Sequence, residues 1–368
     1  MLSPSRAANE SPLTLPYHFG ELLTVIEPPD QRKEIAQTIP ADVRDFLKRS
    51  SEYPTITPHS RLIGSYGRST AIHGIKDVDI VVFVPMAGDD DRPDPTETLS
   101  GLFNVLRGLP GELGYTGEAT VRRRQRRSVH VHFAGADFHL DIVPALIPDG
   151  VEEPLLVPDK DWGRWVDSDP LGYGKTLSKL NDESGKKAVP LIKLFKHWRT
   201  VQMQRRRPKS YYLESLAYQH LQDGRVTTDG KSCAVLFADL LRSVHSDFLP
   251  ILEGTGAPKI PDPMLGNNVA FNWEREAFET FMARLDDSIG WAERALAKDR
   301  DHMDEAIALW QKVFGSDYFV DSDSARQRQL AVWSEQRHIS STGRVTATAP
   351  AAGPSVISPP HRFYGDEQ

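Results

Sequence analysis

One stretch of the chain, Val78 to Val84 (VDIVVFV), leaves little choice of conformation: its β-branched residues and its stop at Pro85 predict a strand. Asp77 and Asp79 stand two apart at its start, so a strand turns both carboxylates to one face. Like charges at that spacing repel, and a divalent cation between them relieves the repulsion. Hard oxygen donors suit Mg²⁺ or Mn²⁺, with substrate phosphates completing the shell. Just upstream, Gly64-Ser65 and Gly67 offer backbone N–H groups and a hydroxyl with little bulk, which suits a triphosphate. In FHLDIV, Phe138, Leu140 and Ile142 share one face of a further strand, and His139 and Asp141 share the other. If the two strands are neighbours, Asp141 joins Asp77 and Asp79 around two metal ions. One ion would hold the triphosphate and the other would help deprotonate an attacking hydroxyl.

The rest of the chain divides by pattern. Residues 1–16 are polar and proline-punctuated and read as a flexible tail. From Tyr17 to Ser50 the apolar spacing predicts two helices, with breaks at Pro28-Pro29 and again around Pro40. Val129–Phe133 and Phe138–Val143 alternate in polarity around Ala134-Gly135-Ala136-Asp137, a hairpin. GDDDRPDP at 88–95 reads as a solvated acidic loop, followed by a helix near Glu97–Leu106. After about residue 185 helices take over. Val189–Met203 carries Leu191, Leu194, Phe195 and Trp198 as one stripe, with Lys193 and Lys196 on another side. Tyr211–Gln222, Ala234–Ser243, Glu274–Lys298 and His302–Phe314 continue the helical pattern, and beyond Ser340 the composition becomes that of a linker.

Composition narrows the classes. The 368 residues carry 51 acidic against 44 basic side chains, a net charge of −7, which excludes a generally cationic nucleic-acid coat. A single cysteine, Cys233, excludes an internal disulfide framework and a multi-cysteine zinc site. Apolar runs are too short to span a membrane, and the N-terminal stretch has no apolar core preceding a small-residue cleavage site. A cytoplasmic protein is the expectation.

Gly64-Ser65, Arg68, Thr70 and Asp77-x-Asp79 resemble the signature of the DNA polymerase β-like nucleotidyltransferases. Within that superfamily the chain resembles the CD-NTases, the bacterial relatives of cyclic GMP-AMP synthase and oligoadenylate synthase. The phrases GSYGRSTAI, HLDIVPAL, LIKLFKHWR at 191–199, Pro261-Asp262-Pro263 with Asn267-Asn268 and Trp273, and LWQKVFGSDYF carry the likeness, over roughly residues 17–320. The resemblance implies an α+β, bilobal enzyme. A mixed-sheet nucleotidyltransferase core over 17–185 and a helical lobe over 186–320 flank an active-site cleft, and a flexible tail covers 338–368. It implies that Asp77, Asp79 and Asp141 bind two Mg²⁺ or Mn²⁺ ions. Ser65, Lys196 and Ser210 would contact the nucleotide phosphates, Tyr211 would stack a base, and Gly64 and Arg68 would join them in binding the nucleotide. A ribose hydroxyl of one ribonucleoside triphosphate then attacks the α-phosphate of another, pyrophosphate leaves, and repetition on a held intermediate gives a cyclic di- or trinucleotide second messenger. In the family such products signal phage infection to a separate effector. A regulatory protein partner is compatible with this pattern, a nucleic-acid activator is not expected, and the chain is expected to be a monomer.

Two alternatives, linear oligoadenylate-type synthesis and addition to an RNA end, share the metal chemistry; a third is a catalytically inactive nucleotide sensor, against which the presence of all three acids weighs. Other motifs carry less. Gly172-Tyr173-Gly174-Lys175-Thr176 resembles a P-loop ending, but Asp169 stands where the first glycine is required. His130, His132 and His139 with Asp137 or Asp141 form a weaker zinc-like grouping. The basic run Arg122–Arg127 reads as solvated charge, and Arg205–Arg207 with Lys209 lies close enough to Ser210 to serve a phosphate pocket.

Overall fold

The computed structural model describes residues 12–74, 76–86, 92–109, 119–148, 154–204, 207–334, 338–339 and 345–346. Residues 1–11 of the expected N-terminal tail, most of the expected C-terminal tail, the first half of the acidic loop at 88–95, and Arg205 and Arg206 lie outside these residues. In chain order the elements begin α1 (Pro16–Ile26), α2 (Asp30–Arg49), β1 (Ser60–Ile63), α3 (Gly64–Gly67), β2 (Asp77–Phe83) and α4 (Pro95–Leu106). Then come β3 (Ala119–Arg124), β4 (Val129–Phe133), β5 (Phe138–Ala145), β6 (Leu155–Asp159), β7 (Arg164–Ser168) and α5 (Pro170–Glu183). Helices follow: α6 (Ala188–Gln202), α7 (Ser210–Gln222), α8 (Cys233–Glu253), α9 (Arg275–Leu296), α10 (Met303–Phe314) and α11 (Asp323–Ser334). Last, His338–Ile339 pairs with Val345–Thr346.

The chain forms two compact units, one comprising Glu27–Glu183 with Ile260–Val269, the other the remainder. The first contains a five-stranded sheet in the order β1-β2-β5-β4-β3. Only β2 and β5 run parallel; the other neighbours are antiparallel, so the sheet is mixed. Alternation sorts its side chains. Val78, Ile80 and Val82 of β2 and Leu140 and Ile142 of β5 bury one face against Ile39, Val43 and Phe46 of α2 and Leu99, Leu102 and Leu106 of α4. Full burial of such a side chain stabilises by about 1.5–3 kcal/mol. The opposite face is split. Val81, Phe83 and Ala145 pack on Leu155 and Val157 of β6, so β2 is apolar on both sides there. At the start of the same strand, Asp77 and Asp79 face away from the buried set. This two-sided burial explains why residues 80–84 form a continuous apolar run after Asp77 and Asp79.

The predicted break at Pro40 is absent: α2 runs unbroken over Asp30–Arg49 with Pro40 inside it. A helical proline forfeits one backbone hydrogen bond and strains its turn, at a cost of ~3 kcal/mol. Burial of Ala36, Ile39, Val43, Phe46 and Leu47 along the same helix offsets that cost. The short segment Ile260–Val269 is built by an aspartate: Asp262 Oδ1 accepts from the N–H groups of Met264 and Leu265, and Asn268 Oδ1 accepts from the N–H of Ile260. The Pro261-Asp262-Pro263 and Asn267-Asn268 phrases therefore close one small turn.

The second unit is helical and aromatic at its centre. Trp198 of α6 packs edge-on to Phe281 of α9 at 5.5 Å and donates its indole N–H to Ser288 Oγ at 2.9 Å. The core that the resemblance implies over 17–185 includes nearly all of α1. The structure groups it with the helices instead, because Phe19 inserts among Trp310, Phe314 and Phe319 at centroid distances of 4.9, 5.7 and 5.3 Å. Among the described residues no helix is long and apolar enough to cross a membrane.

Candidate active site

The three acids come together as two rows across the sheet. Asp79 and Asp141 are register partners on the parallel strands β2 and β5, and Asp77 partners His139 one step back. Paired residues on neighbouring strands stand on the same face about 5 Å apart, so three carboxylates crowd a single patch. The crowding has an electrostatic signature. Burial, then the charges of Asp141 and Asp77, push the Asp79 carboxyl up to about 6, and Arg68 pulls the other way. Two ionised carboxylates side by side are stabilised by a divalent cation, and oxygen donors of this kind fit Mg²⁺ or Mn²⁺. Asp141 is further held, because Gln125 Nε2 and His130 Nδ1 reach its Oδ1 at 3.1 and 2.9 Å.

The Gly-Ser turn is stationed at the same place by pairing. Ile63, the last residue of β1, is the register partner of Asp79, and Gly64 follows directly. Gly64 adopts φ +69°, a region costly for other residues, and a β-carbon there would meet Asp79 Oδ2 at 1.9 Å. The Ser65 carbonyl accepts from the N–H groups of Thr70 and Ala71 at 2.9 and 3.1 Å. The buried Thr70 hydroxyl adds a longer contact to it at 3.4 Å. Arg68 lies half-buried with its guanidinium 5.0 Å above the Tyr173 ring. Gly64, Ser65 and Arg68 thus lie in the same unit as the three acids, on the loop that begins beside Asp79.

Lys196, Ser210 and Tyr211 belong to the helical unit. Lys196 is 2% exposed and its Nζ lies 3.4 Å from the equally buried Glu214 Oε2. The α6 side carrying Lys193 and Lys196 is not a polar face at all: every residue from Leu191 to Trp198 is buried. The amphipathic pattern missed this because Glu214, the partner that makes the burial tolerable, is on α7 and distant in sequence. Ser210 is the first residue of α7, and Tyr211 beside it is half-buried.

Other motifs resolve differently from the expectation. In the basic run, Arg126 Nε and Arg127 Nη2 reach the fully buried Asp159 carboxylate at 2.8 and 3.1 Å, so these two partly exposed charges also have a structural partner. Gln125 in the same run serves Asp141, a role hidden by its cationic neighbours. The GYGKT phrase lies inside α5, where Gly172 N–H donates to Asp169 Oδ1. The histidines divide. His130 goes to Asp141, while His132, Asp137 and His139 bring ligand-type atoms within 4.8 Å of one another. Asp137 is engaged by Lys76 at 2.7 Å, with Arg32 at 3.6 Å, so that carboxylate is already paired with cations.

A mixed sheet with three carboxylates on adjoining strands and a Gly-Ser turn beside them is the arrangement of a polymerase β-like nucleotidyltransferase. Residues 13–181 match the Second Messenger Oligonucleotide or Dinucleotide Synthetase domain. The chain is 30% identical over 319 residues to the cyclic AMP-AMP-AMP synthase of an Acinetobacter species, covering 84% of this chain and 86% of that protein. It is 23% identical over 360 residues to the cyclic AMP-AMP-GMP synthase of Enterobacter hormaechei, covering 82% and 91%. In fold it is similar to the structure of Escherichia coli MS115-1 CdnC with ATP, at a TM-score of 0.62 and 19% identity over 83% of this chain and 99% of that one. It is similar also to that protein in its complex with HORMA-deltaN, at 0.61 and 18% over 83% and 98%. The chain belongs to the CD-NTase family. It is a nucleotidyltransferase of the class that makes cyclic oligonucleotide second messengers.

Proposed function

We propose that this CD-NTase joins three ribonucleoside triphosphates, at least two of them ATP, into a cyclic trinucleotide. The register pairing of Asp79 with Asp141 carries the catalytic part of this reading, and the products in the names of the two curated relatives above support the trinucleotide. At each step a ribose hydroxyl oxygen forms a bond to the α-phosphorus of the next nucleotide, the bond from that phosphorus to the β-phosphate oxygen breaks, and pyrophosphate leaves. The hydroxyl proton passes to solvent or a nearby base.

Asp77, Asp79 and Asp141 would hold two Mg²⁺ or Mn²⁺ ions, which supply charge neutralisation on the triphosphate and acidify the attacking hydroxyl. The chain's own work is positioning. The Gly64-Ser65 turn keeps a bulk-free backbone against Asp79 and presents the Ser65 hydroxyl for the donor phosphates. Arg68, steadied over Tyr173, adds a positive charge nearby. Roles for Lys196 and Ser210 on phosphate and for Tyr211 on a base rest on the resemblance of their phrases to the family. The same likeness supports a separate effector that reads the product during phage infection, and the HORMA complex of CdnC supports a regulatory protein partner.

Pyrophosphate release from ATP, or from ATP with GTP, in the presence of Mg²⁺ or Mn²⁺ tests the chemistry. Asp77→Ala with Asp79→Ala should abolish it while leaving the melting transition cooperative. Turnover retained by that variant would refute the assignment of the acids.

A further inference from the structure

Two side chains around the third acid have no part in the account of catalysis above. His130 of β4 is the register partner of Asp141 of β5, so the two side chains stand next to each other on one face of the sheet. His130 Nδ1 lies 2.9 Å from Asp141 Oδ1, and Gln125 Nε2 lies 3.1 Å from the same oxygen. An ionised carboxylate only accepts hydrogen bonds, so both nitrogens donate. Among the described residues Asp141 Oδ2 receives no hydrogen bond. The contact is partly dry, with the His130 and Asp141 side chains 19% and 25% exposed.

Both donors are themselves held in place. The His130 ring stacks on His139 at a centroid distance of 4.9 Å, and His139 stacks on His132 at 4.5 Å. Gln125 sits at the turn between β3 and β4, where its backbone N–H donates to the Ser128 carbonyl at 2.7 Å. Each donor therefore approaches Asp141 from a fixed point, one from a strand and one from a turn.

We propose that Gln125 and His130 are positioning residues that pin Oδ1 of Asp141, so that Oδ2 is the oxygen offered to a divalent cation. The proposal rests on the reading of Asp77, Asp79 and Asp141 as the cation-binding set. A carboxylate free to turn about its last torsion samples many orientations, and two donors on one oxygen remove most of them. They also draw negative charge to Oδ1, which favours coordination through the other oxygen alone. Groups that orient a metal ligand from behind typically change metal affinity or activity by about 10–100-fold. A cross-strand pair that only helped to hold the sheet would leave cation affinity unchanged.

The test is Mn²⁺ binding to the metal-free protein with α,β-methylene-ATP, followed by loss of the free-Mn²⁺ electron paramagnetic resonance signal. His130→Ala and Gln125→Ala should each weaken Mn²⁺ binding about 10-fold and raise the Mn²⁺ concentration for half-maximal turnover in step. His130→Asn, which keeps a donor near the position of Nδ1, should recover most of the affinity. Should His130→Ala fail to fold, Gln125→Ala at the turn and His130→Asn still carry the comparison. Wild-type affinity in a well-folded Gln125→Ala and His130→Ala, alongside lost binding in Asp77→Ala/Asp79→Ala, would overturn the positioning role alone. Wild-type protein that bound no more Mn²⁺ than the acid variant would overturn the cation-binding set, and this proposal with it.

Discussion

Gly64 and Asp79 are locked into mutual contact: a β-carbon on Gly64 would stand 1.9 Å from Oδ2 of Asp79. The pairing of Ile63 with Asp79 at the end of β1 creates this contact, and the left-handed backbone at Gly64 completes it. The turn proposed to hold phosphates is thereby fixed against the acid proposed to hold the cation.

Gly64→Ala should therefore abolish turnover without unfolding the protein. The positive φ costs a non-glycine residue roughly 1–2 kcal/mol, and the clash must displace either the turn or the Asp79 carboxylate. Pyrophosphate release together with a thermal melt checks this. An active Gly64→Ala would show that the turn is free to move away from Asp79.

Asp79 makes a pH-dependent prediction for the metal-free protein. Its folded pKa of about 6 exceeds the ordinary carboxylate value, so the folded state holds a proton more tightly than the unfolded chain. Its contribution to stability is then greatest below about pH 4 and is lost as pH rises to 6. Asp79→Asn should thus stabilise the metal-free protein at pH 7.5 by on the order of 1–2 kcal/mol, less than the full shift because the side chain is partly solvated. The gain should vanish near pH 3.5, and turnover should be lost at every pH. Melts in chelator across that range read the effect.

His220 gives the opposite slope. Burial first, with Arg225 adding to it, drives its imidazole down to about 4, and its Nδ1 lies 2.7 Å from Ser243 Oγ. The unfolded chain takes up a proton near pH 6.5 that the folded protein refuses until about 4. Stability assigned to this site is intact above pH 6.5 and declines as pH falls through that window. His220→Gln should flatten that part of the acid-denaturation profile, measured by urea midpoint against pH.

Lys196 permits a separation of stability from chemistry. Lys196→Ala removes the cation that lies 3.4 Å from the buried Glu214 carboxylate, and should cost about 3–5 kcal/mol. Lys196→Met with Glu214→Leu should recover most of that stability. If Lys196 also holds phosphate, the double variant will melt near wild type and still show a raised KM for ATP. A wild-type KM would assign Lys196 to the pair alone.

Much of the candidate site's geometry was legible in the chain because its signals are local. The alternation around Asp77, Asp79 and Asp141 names a face, and a parallel neighbour is all that is needed to gather them. The hairpin through Ala134–Asp137 and the long helices followed from pattern in the same way. What stayed hidden depends on partners far away in sequence. β1 is four residues, Ser60–Ile63, with no alternation to mark it. The pairing of Lys196 with Glu214 buries an apparent surface charge, and Arg126 and Arg127, themselves partly exposed, are engaged by the buried Asp159. Gln125, set among the arginines of RRRQRR, shows its contact only where the sheet sets it against Asp141.

The most direct measurement is the product itself. The purified protein would be incubated with radiolabelled ribonucleoside triphosphates and Mg²⁺ or Mn²⁺, the mixture treated with phosphatase, and the remaining species identified by mass. Phosphatase-resistant cyclic trinucleotides containing at least two adenylates are the predicted result, absent from Asp77→Ala/Asp79→Ala. Phosphatase-sensitive linear chains, or cyclic dinucleotides alone, would contradict it.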